Sequence, residues 1–304
     1  MFDKRLMSIY PESEKYIAGN VVFQSMEMIL NAAMIFSVTK ILERLYLQTI
    51  VPKEMAAFTA VIILTIILRV FTTKAVAEMN FLASRTVKKS LREMIYMKLL
   101  KLGKAYRNKV STSELVQESV EGVEQLETYF GLYVPQFFYA LIAPIILFIL
   151  FCINGSWRVG IVLLICVPLI PLAIIMVQKV AKKLLSRYWN QYTELGSSFL
   201  ENLQGMTTLK IYQADRYKNE KMNEESEYFR KVTMAVLTMQ LNSIIVMDFI
   251  AYGGAAIGII LAGGLFLRGE IALGSCLFMI LLSAEFFLPM RKLGSYFHVA
   301  MRQE

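Results

Sequence analysis

The sequence predicts an all-α membrane protein with six transmembrane helices and two long cytoplasmic helical extensions. Three observations predict it. Apolar residues make up 56% of the 304 residues and charged residues only 18%, a balance outside ordinary soluble composition. Apolar runs fall at 16–39, 55–73, 132–152, 157–178, 240–267 and 271–290, each near the about 20 residues that carry a helix across a bilayer. The gaps between them alternate between very short and roughly 55–60 residues. A chain threaded this way makes two long excursions on one side of a membrane and almost none on the other.

The first run follows a polar start, Met1–Lys15, which reads as a short cytoplasmic segment. The run is too long for the core of a signal peptide and lacks an evident small-residue cleavage site, so it reads as a retained span. Of the 32 Lys and Arg residues, nine lie in 76–131 and ten in 179–239, the two excursions. The short connections hold few: Arg44 and Lys53, Arg158, and Arg268. Excess Lys and Arg marks the cytoplasmic side, so both termini are expected there. Nucleic-acid binding is not expected, because the basic residues belong to a membrane chain and not to a soluble basic face.

The excursions carry helical patterning. In the second, Leu185, Tyr192, Phe199 and Met206 recur every seven residues, with Tyr188 and Leu195 between them. The stripe resumes at Met222, Phe229 and Val236, flanked by Val232 and Met239. Between the two, 207–219 has weaker helix preference and Gly205 permits a bend, which predicts a helical hairpin with its tip there. In the first excursion Leu91, Ile95, Leu99 and Leu102 share one face, Gly103 to Val110 forms the tip, and Ser111–Glu114 reads as a capping box. Arg85 to Lys109 holds nine bases and one acid, whereas Ser111–Phe130 holds five acids and no base. The returning helix is therefore expected either to attract the descending one or to leave both charged faces solvated.

Catalytic constellations are not apparent. No G-x-x-x-x-G-K-[ST] phosphate loop occurs in these residues, and one histidine, His298, makes no metal cluster. Cys152, Cys166 and Cys276 fall within or at the end of apolar runs and read as small buried residues. Ionisable and amide groups inside the spans are the stronger signal, since each charge costs roughly 3 kcal/mol at mid-bilayer unless paired or hydrated. Gln24, Glu27 and Asn31 share a face of the first span, and Thr65, Arg69 and Thr72 a face of the second. Asp248 lies in the fifth and Glu285 in the sixth. They either line a cavity for a polar solute, or Arg69 pairs with one of the two acids, or the groups already lie at the interface because the helices extend past the bilayer. Gly254, Gly258 and Ala262 offer close helix contact, and Pro135, Pro144, Pro168 and Pro171 predict bends.

With the hairpins placed, the sequence resembles the transmembrane domain of a type-1, exporter-type ABC transporter along essentially its whole length. Glu201-Asn202-Leu203-Gln204-Gly205-Met206-Thr207-Thr208-Leu209-Lys210-Ile211-Tyr212 is similar to the segment leading into that family's second coupling helix, and Leu102–Leu115 sits where the first belongs. Glu121–Phe130 and Glu285–Gly294 are similar to the CydD-type subunit of heterodimeric thiol exporters tied to cytochrome bd assembly. The resemblance implies the ABC type-1 exporter fold over 16–298, with 299–304 beginning a linker to a nucleotide-binding domain that these residues do not contain. It implies that ATP and Mg bind that separate domain and that no cofactor binds here. It implies a nucleotide-binding domain and a second, CydC-like half-transporter as partners, with Lys104, Tyr106, Arg107, Tyr212, Asp215 and Arg216 at the coupling tips. The implied cargo is cysteine or glutathione, carried out through the bacterial inner membrane by a cavity lined with Gln24, Glu27, Asn31, Arg69, Asp248 and Glu285. Export of a lipid or hydrophobic drug, or a membrane scaffold without transport, remain the alternatives.

Overall fold

The computed structural model describes residues 11–49, 51–103, 119–120, 123–154 and 156–301. Among them the chain is helical, with no strand, and six helical passages are long and apolar enough to cross a membrane: Ser13–Tyr46, Pro52–Leu102, Tyr129–Ile153, Trp157–Gln204, Asp215–Leu267 and Leu273–Tyr296. The chain divides into two compact units. One comprises Met1–Ile170 with Ile250–Glu304, the other Pro171–Phe249.

In the first unit, α1 (Pro11–Tyr46) and α2 (Pro52–Leu102) form an antiparallel pair. Pro52 opens α2 where its missing N–H has no intrahelical partner to lose, and Glu54 in the first turn favours the helix dipole. Arg44 reaches Glu54 at 3.5 Å across the short connection. The 51 residues of α2 span about 75 Å, far beyond the roughly 30 Å hydrocarbon core. It stops at Gly103, whose φ of +53° suits glycine and whose N–H bonds the Leu99 carbonyl. The expected tip and capping box at 104–114 lie outside the described residues, and so do Lys104, Tyr106 and Arg107.

The return begins with α3 (Val123–Thr128), passes through one π-helical turn (Tyr129–Tyr133) and continues as α4 (Val134–Ile153). Charges attract across this pair. Glu124 accepts hydrogen bonds from Lys88 Nζ at 2.9 Å and Arg92 Nη2 at 2.8 Å, and Glu127 also accepts from Lys88. The Lys88 contact, then that of Arg92, holds the Glu124 carboxyl below the usual carboxylate range. A depressed folded-state value means the contact contributes above the ordinary carboxylate pKa and is lost as pH falls through the lowered one. Lys88→Glu is expected to speed chymotryptic cleavage at exposed Tyr96, and adding Glu124→Lys to restore resistance. Equal digestion of all three forms would mean these exposed ion pairs hold nothing together.

The sequence expects a bend at Pro168, and the fourth passage breaks there, between α5 (Trp157–Cys166) and α6 (Leu169–Gln204). Pro144 stays inside α4. The last passage is α9 (Leu273–Leu282), one 3-10 turn (Ser283–Phe286), and α10 (Leu288–Met301). Phe151 anchors the core between Phe286 at 5.1 Å and Phe278 at 6.2 Å, and all three rings are fully buried. The opposite faces stay apolar and open: Ile63, Leu64, Ile66, Ile67, Val70 and Phe71 project from α2 as lipid- or protein-facing residues do.

The second unit is a helical hairpin made by α6 from Pro171, α7 (Met206–Ile211) and α8 (Asp215–Leu267) as far as Phe249. On the returning helix the expected stripe is right: Met222, Phe229, Val232, Val236 and Met239 face inward. On the descending helix the expected Leu185, Tyr188 and Leu195 are covered, but the seam continues through Gln191, Ser198 and Asn202, and Tyr192, Phe199 and Met206 remain about half exposed. The tip is tighter than 207–219. Residues 206–211 are helical, and the turn occupies 212–214. Ala214 N–H bonds the Leu209 carbonyl at 2.9 Å and Gln213 N–H the Lys210 carbonyl at 3.2 Å, with Gln213 at φ +52°. That double closure is the Schellman stop, made here without glycine.

Candidate functional site

The site grows out of the α1–α2 register. Asn20 faces Asn80, Glu27 faces Thr73, and Asn31 faces Arg69, so each step up one helix matches a step down the other. The Asn20 amide, fully buried, donates to the Val76 carbonyl at 3.1 Å and to Asn80 Oδ1 at 2.6 Å. Gln24 donates to Asn20 Oδ1 and so joins this rung. Ile17 and Ala83, both buried, continue the same register.

Further along, the rungs become charged. Thr73 donates to Glu27 Oε1 at 3.2 Å, and the Arg69 guanidinium stands 3.7 Å from the same oxygen. Arg69 Nη1 also donates to Asn31 Oδ1 at 3.2 Å, and Asn31 Nδ2 donates to Glu285 Oε1 at 3.2 Å. One amide therefore joins the guanidinium of the second span to a carboxylate of the sixth. Tyr139 on α4 lies within electrostatic reach of both Glu27 and Glu285.

Glu285 sits in the break of the sixth span. Ser283–Phe286 is a 3-10 turn between two α-helices, and Pro289 has no N–H to give the Glu285 carbonyl four residues earlier. Gln136 on α4, itself buried, donates to the Pro289 carbonyl at 2.9 Å and steadies the far side of the break. Interrupted helices deep in a membrane are tolerated where they are buried in protein or line a cavity.

The cluster is only partly enclosed. The Arg69 side chain is 37% exposed and that of Glu27 30%. Leaving such groups against lipid costs roughly 3 kcal/mol each, more than a loose 3.7 Å pair returns. The open side therefore faces water or polar protein. Arg69 is ion-paired, but to Glu27 and not to Asp248 or Glu285, and the paired group still has an open face.

Of the sequence-derived set, Glu27, Asn31, Arg69 and Glu285 belong to one network, and Gln24 belongs to the neighbouring Asn20–Asn80 rung. Asp248 is half-buried in the second unit. Thr65 and Thr72, on the Arg69 face, turn their hydroxyls to their own helix, bonding the Ile62 and Arg69 carbonyls at 2.8 Å and 3.1 Å. Asn20, Thr73, Asn80 and Tyr139 were missed. Nothing in their own helices marks any of them as a partner, so each is visible only once the helices are paired. Among the tip residues, Tyr212 is 78% exposed, Asp215 is exposed, and Arg216 pairs with Glu220 at 3.3 Å in the open.

Comparison with known proteins agrees with this architecture. The family model described as "ABC transporter transmembrane region" matches residues 17–290. An uncharacterized ABC transporter ATP-binding protein of Haemophilus influenzae is 51% identical over 270 residues, covering 89% of this chain and 48% of that protein. The glutathione/L-cysteine transport system ATP-binding/permease protein CydD of the same species is 25% identical over 295 residues, 94% of this chain and 50% of its own. The transport ATP-binding protein AarD of Providencia stuartii is 30% identical over 258 residues, 81% of this chain and 43% of its own. The chain thus spans about half the length of the curated relatives it matches. With six membrane-competent helical passages, two long helical excursions and this family match, the chain belongs to the transmembrane-region family of ABC transporters, of the exporter type.

Proposed function

We propose that this chain is the permease half of a bacterial inner-membrane exporter that carries cysteine- or glutathione-type thiols out of the cytoplasm and supports cytochrome bd assembly. The observation that carries it is the half-open ionic network of Glu27, Arg69, Asn31 and Glu285 within the spans. Charged and amide groups at that depth suit a small polar cargo better than an acyl chain. The CydD and CydC names of relatives at 25% and 27% identity support thiols, and the 21% identity to relatives named lipid A-core flippases keeps lipid export as the alternative.

Both termini and both excursions lie in the cytoplasm, on the charge asymmetry of the loops. A nucleotide-binding domain, in this polypeptide or another, binds ATP and Mg and seats the exposed tip of Ile211, Tyr212, Asp215 and Tyr217, together with Lys104, Tyr106 and Arg107 of the other excursion. A second half-transporter of CydC-like build covers the open Trp189, Tyr192, Phe199 and Met206 face. ATP-dependent uptake of radiolabelled cysteine or glutathione into inverted vesicles of the complete transporter is the expected result. Uptake of neither, with flipping of a fluorescent lipid instead, would replace this reading by the alternative.

A further inference from the structure

We infer that Glu285 is the carboxylate that recognises a primary ammonium on the transported solute, an inference that rests on the cargo reading above but is tested apart from it. The argument is one of charge pairing. Arg69 has its acid in Glu27, with Asn31 as its second partner. Glu285 accepts a hydrogen bond from the Asn31 amide, and among the described residues no cation lies within ion-pair distance of it, Arg69 and Lys292 acting on it only from farther off. Arg291, the next cation along its own passage, lies over the Tyr252 ring, and Lys292 is exposed two turns away. The network therefore holds two carboxylates against one guanidinium, and the carboxylate left over is the one without a cation.

Position favours the same residue. Glu285 lies in the 3-10 break, where the α-helical bond to its own carbonyl is forbidden by Pro289. A carboxylate and a main-chain carbonyl on one interrupted turn supply acceptors, and an ammonium has three donors and no acceptor. The opposing groups are fixed: Asn31 is held from the other side by Arg69, so its amide keeps the N–H end toward Glu285. A second amide orientation would set two donors against the guanidinium. A hydroxyl-only or anionic solute gains nothing from this arrangement, whereas an amine completes the charge balance that Glu27 and Arg69 leave open.

The test is the stimulation of ATP hydrolysis by the complete transporter in proteoliposomes with four small solutes: cysteine, cysteamine, N-acetylcysteine and 2-aminobutyrate. Ammonium recognition predicts that cysteine and cysteamine act at concentrations about tenfold or more below N-acetylcysteine, the scale of one lost charge-assisted hydrogen bond. Glu285→Gln keeps the shape and should erase that gap by raising the cysteine and cysteamine concentrations needed about tenfold, toward that of N-acetylcysteine. Glu285→Asp should restore part of it. If N-acetylcysteine matches cysteine in the wild type, the ammonium role is overturned and the thiol reading stands. If 2-aminobutyrate matches cysteine while N-acetylcysteine fails, the ammonium role stands and the thiol reading falls. No response to any of the four overturns both.

Discussion

Arg69→Met is expected to lower the thermal stability of the purified transporter and to abolish its ATP-driven transport. Methionine fills much of the volume but leaves Glu27 without its cation and Asn31 Oδ1 without its donor. Breaking a fully buried pair by removing one partner costs about 3–5 kcal/mol. Here roughly a third of each side chain is open to solvent, which reduces the loss to about 2 kcal/mol. Most of that loss comes from the stranded acid, so it has a second-site cure. Replacing Glu27 by Gln in the same chain removes the uncompensated charge and should recover most of the stability. Transport should not recover, because the guanidinium that orients Asn31 toward Glu285 is still missing. Thermal unfolding of the single and double variants, alongside vesicle uptake, separates the two effects. A single variant as stable as the wild type would mean Arg69 is already hydrated and the pair contributes nothing.

The spans and their connections were legible because a bilayer imposes two simple demands, about 20 apolar residues and an internally satisfied backbone. The polar face of the first span was legible for the same kind of reason. Gln24, Glu27 and Asn31 follow helical spacing, which depends on one helix alone. Pairing was not legible. Whether Arg69 meets Glu27, Asp248 or Glu285 depends on the register between helices, and the Asn20–Asn80 rung marks that register. Thr73 and Tyr139 were invisible for the same cause, since nothing in their own helices marks them as partners of Glu27.

The descending stripe of the second unit was only partly legible, with Leu185, Tyr188 and Leu195 covered as expected. Tyr192, Phe199 and Met206 keep the heptad spacing of a buried seam, yet the seam lies one row away, at Gln191, Ser198 and Asn202. Hydrophobic periodicity reports that a face will be covered but not by what. Tyr192 reaches Phe229 of the returning helix at 6.1 Å between ring centroids and still stays half exposed, so the aromatic row is covered only along one edge while the polar row lies deeper in the seam. The break at 283–286 had a written cue in Pro289. Proline, however, constrains the residue four places back, so its effect fell on Glu285 and not at its own position.

That break also sets the other large expectation, at Gly254. Alanine normally improves a helix interior over glycine by up to about 1 kcal/mol. At Gly254 a Cβ would run into the ring of Phe287, with Cε1 only 2.8 Å away, and Phe287 is fully buried with nowhere to turn. Overpacking of this kind costs about 1–3 kcal/mol, so the clash outweighs the propensity gain. At Gly253, one residue earlier on the same helix, a Cβ meets nothing within 4 Å, and the same substitution keeps the full gain. Gly253→Ala should therefore melt above Gly254→Ala, with the two about 1–3 kcal/mol apart. Function should split with them. Phe287 directly follows the turn that carries Glu285, so displacing its ring moves the carboxylate away from Asn31, and Gly254→Ala should raise the cysteine concentration needed to stimulate ATP hydrolysis, while Gly253→Ala leaves it unchanged. Identical melting of the two variants would mean that the fifth and sixth passages do not meet at Phe287, and the position of Glu285 would then need another support.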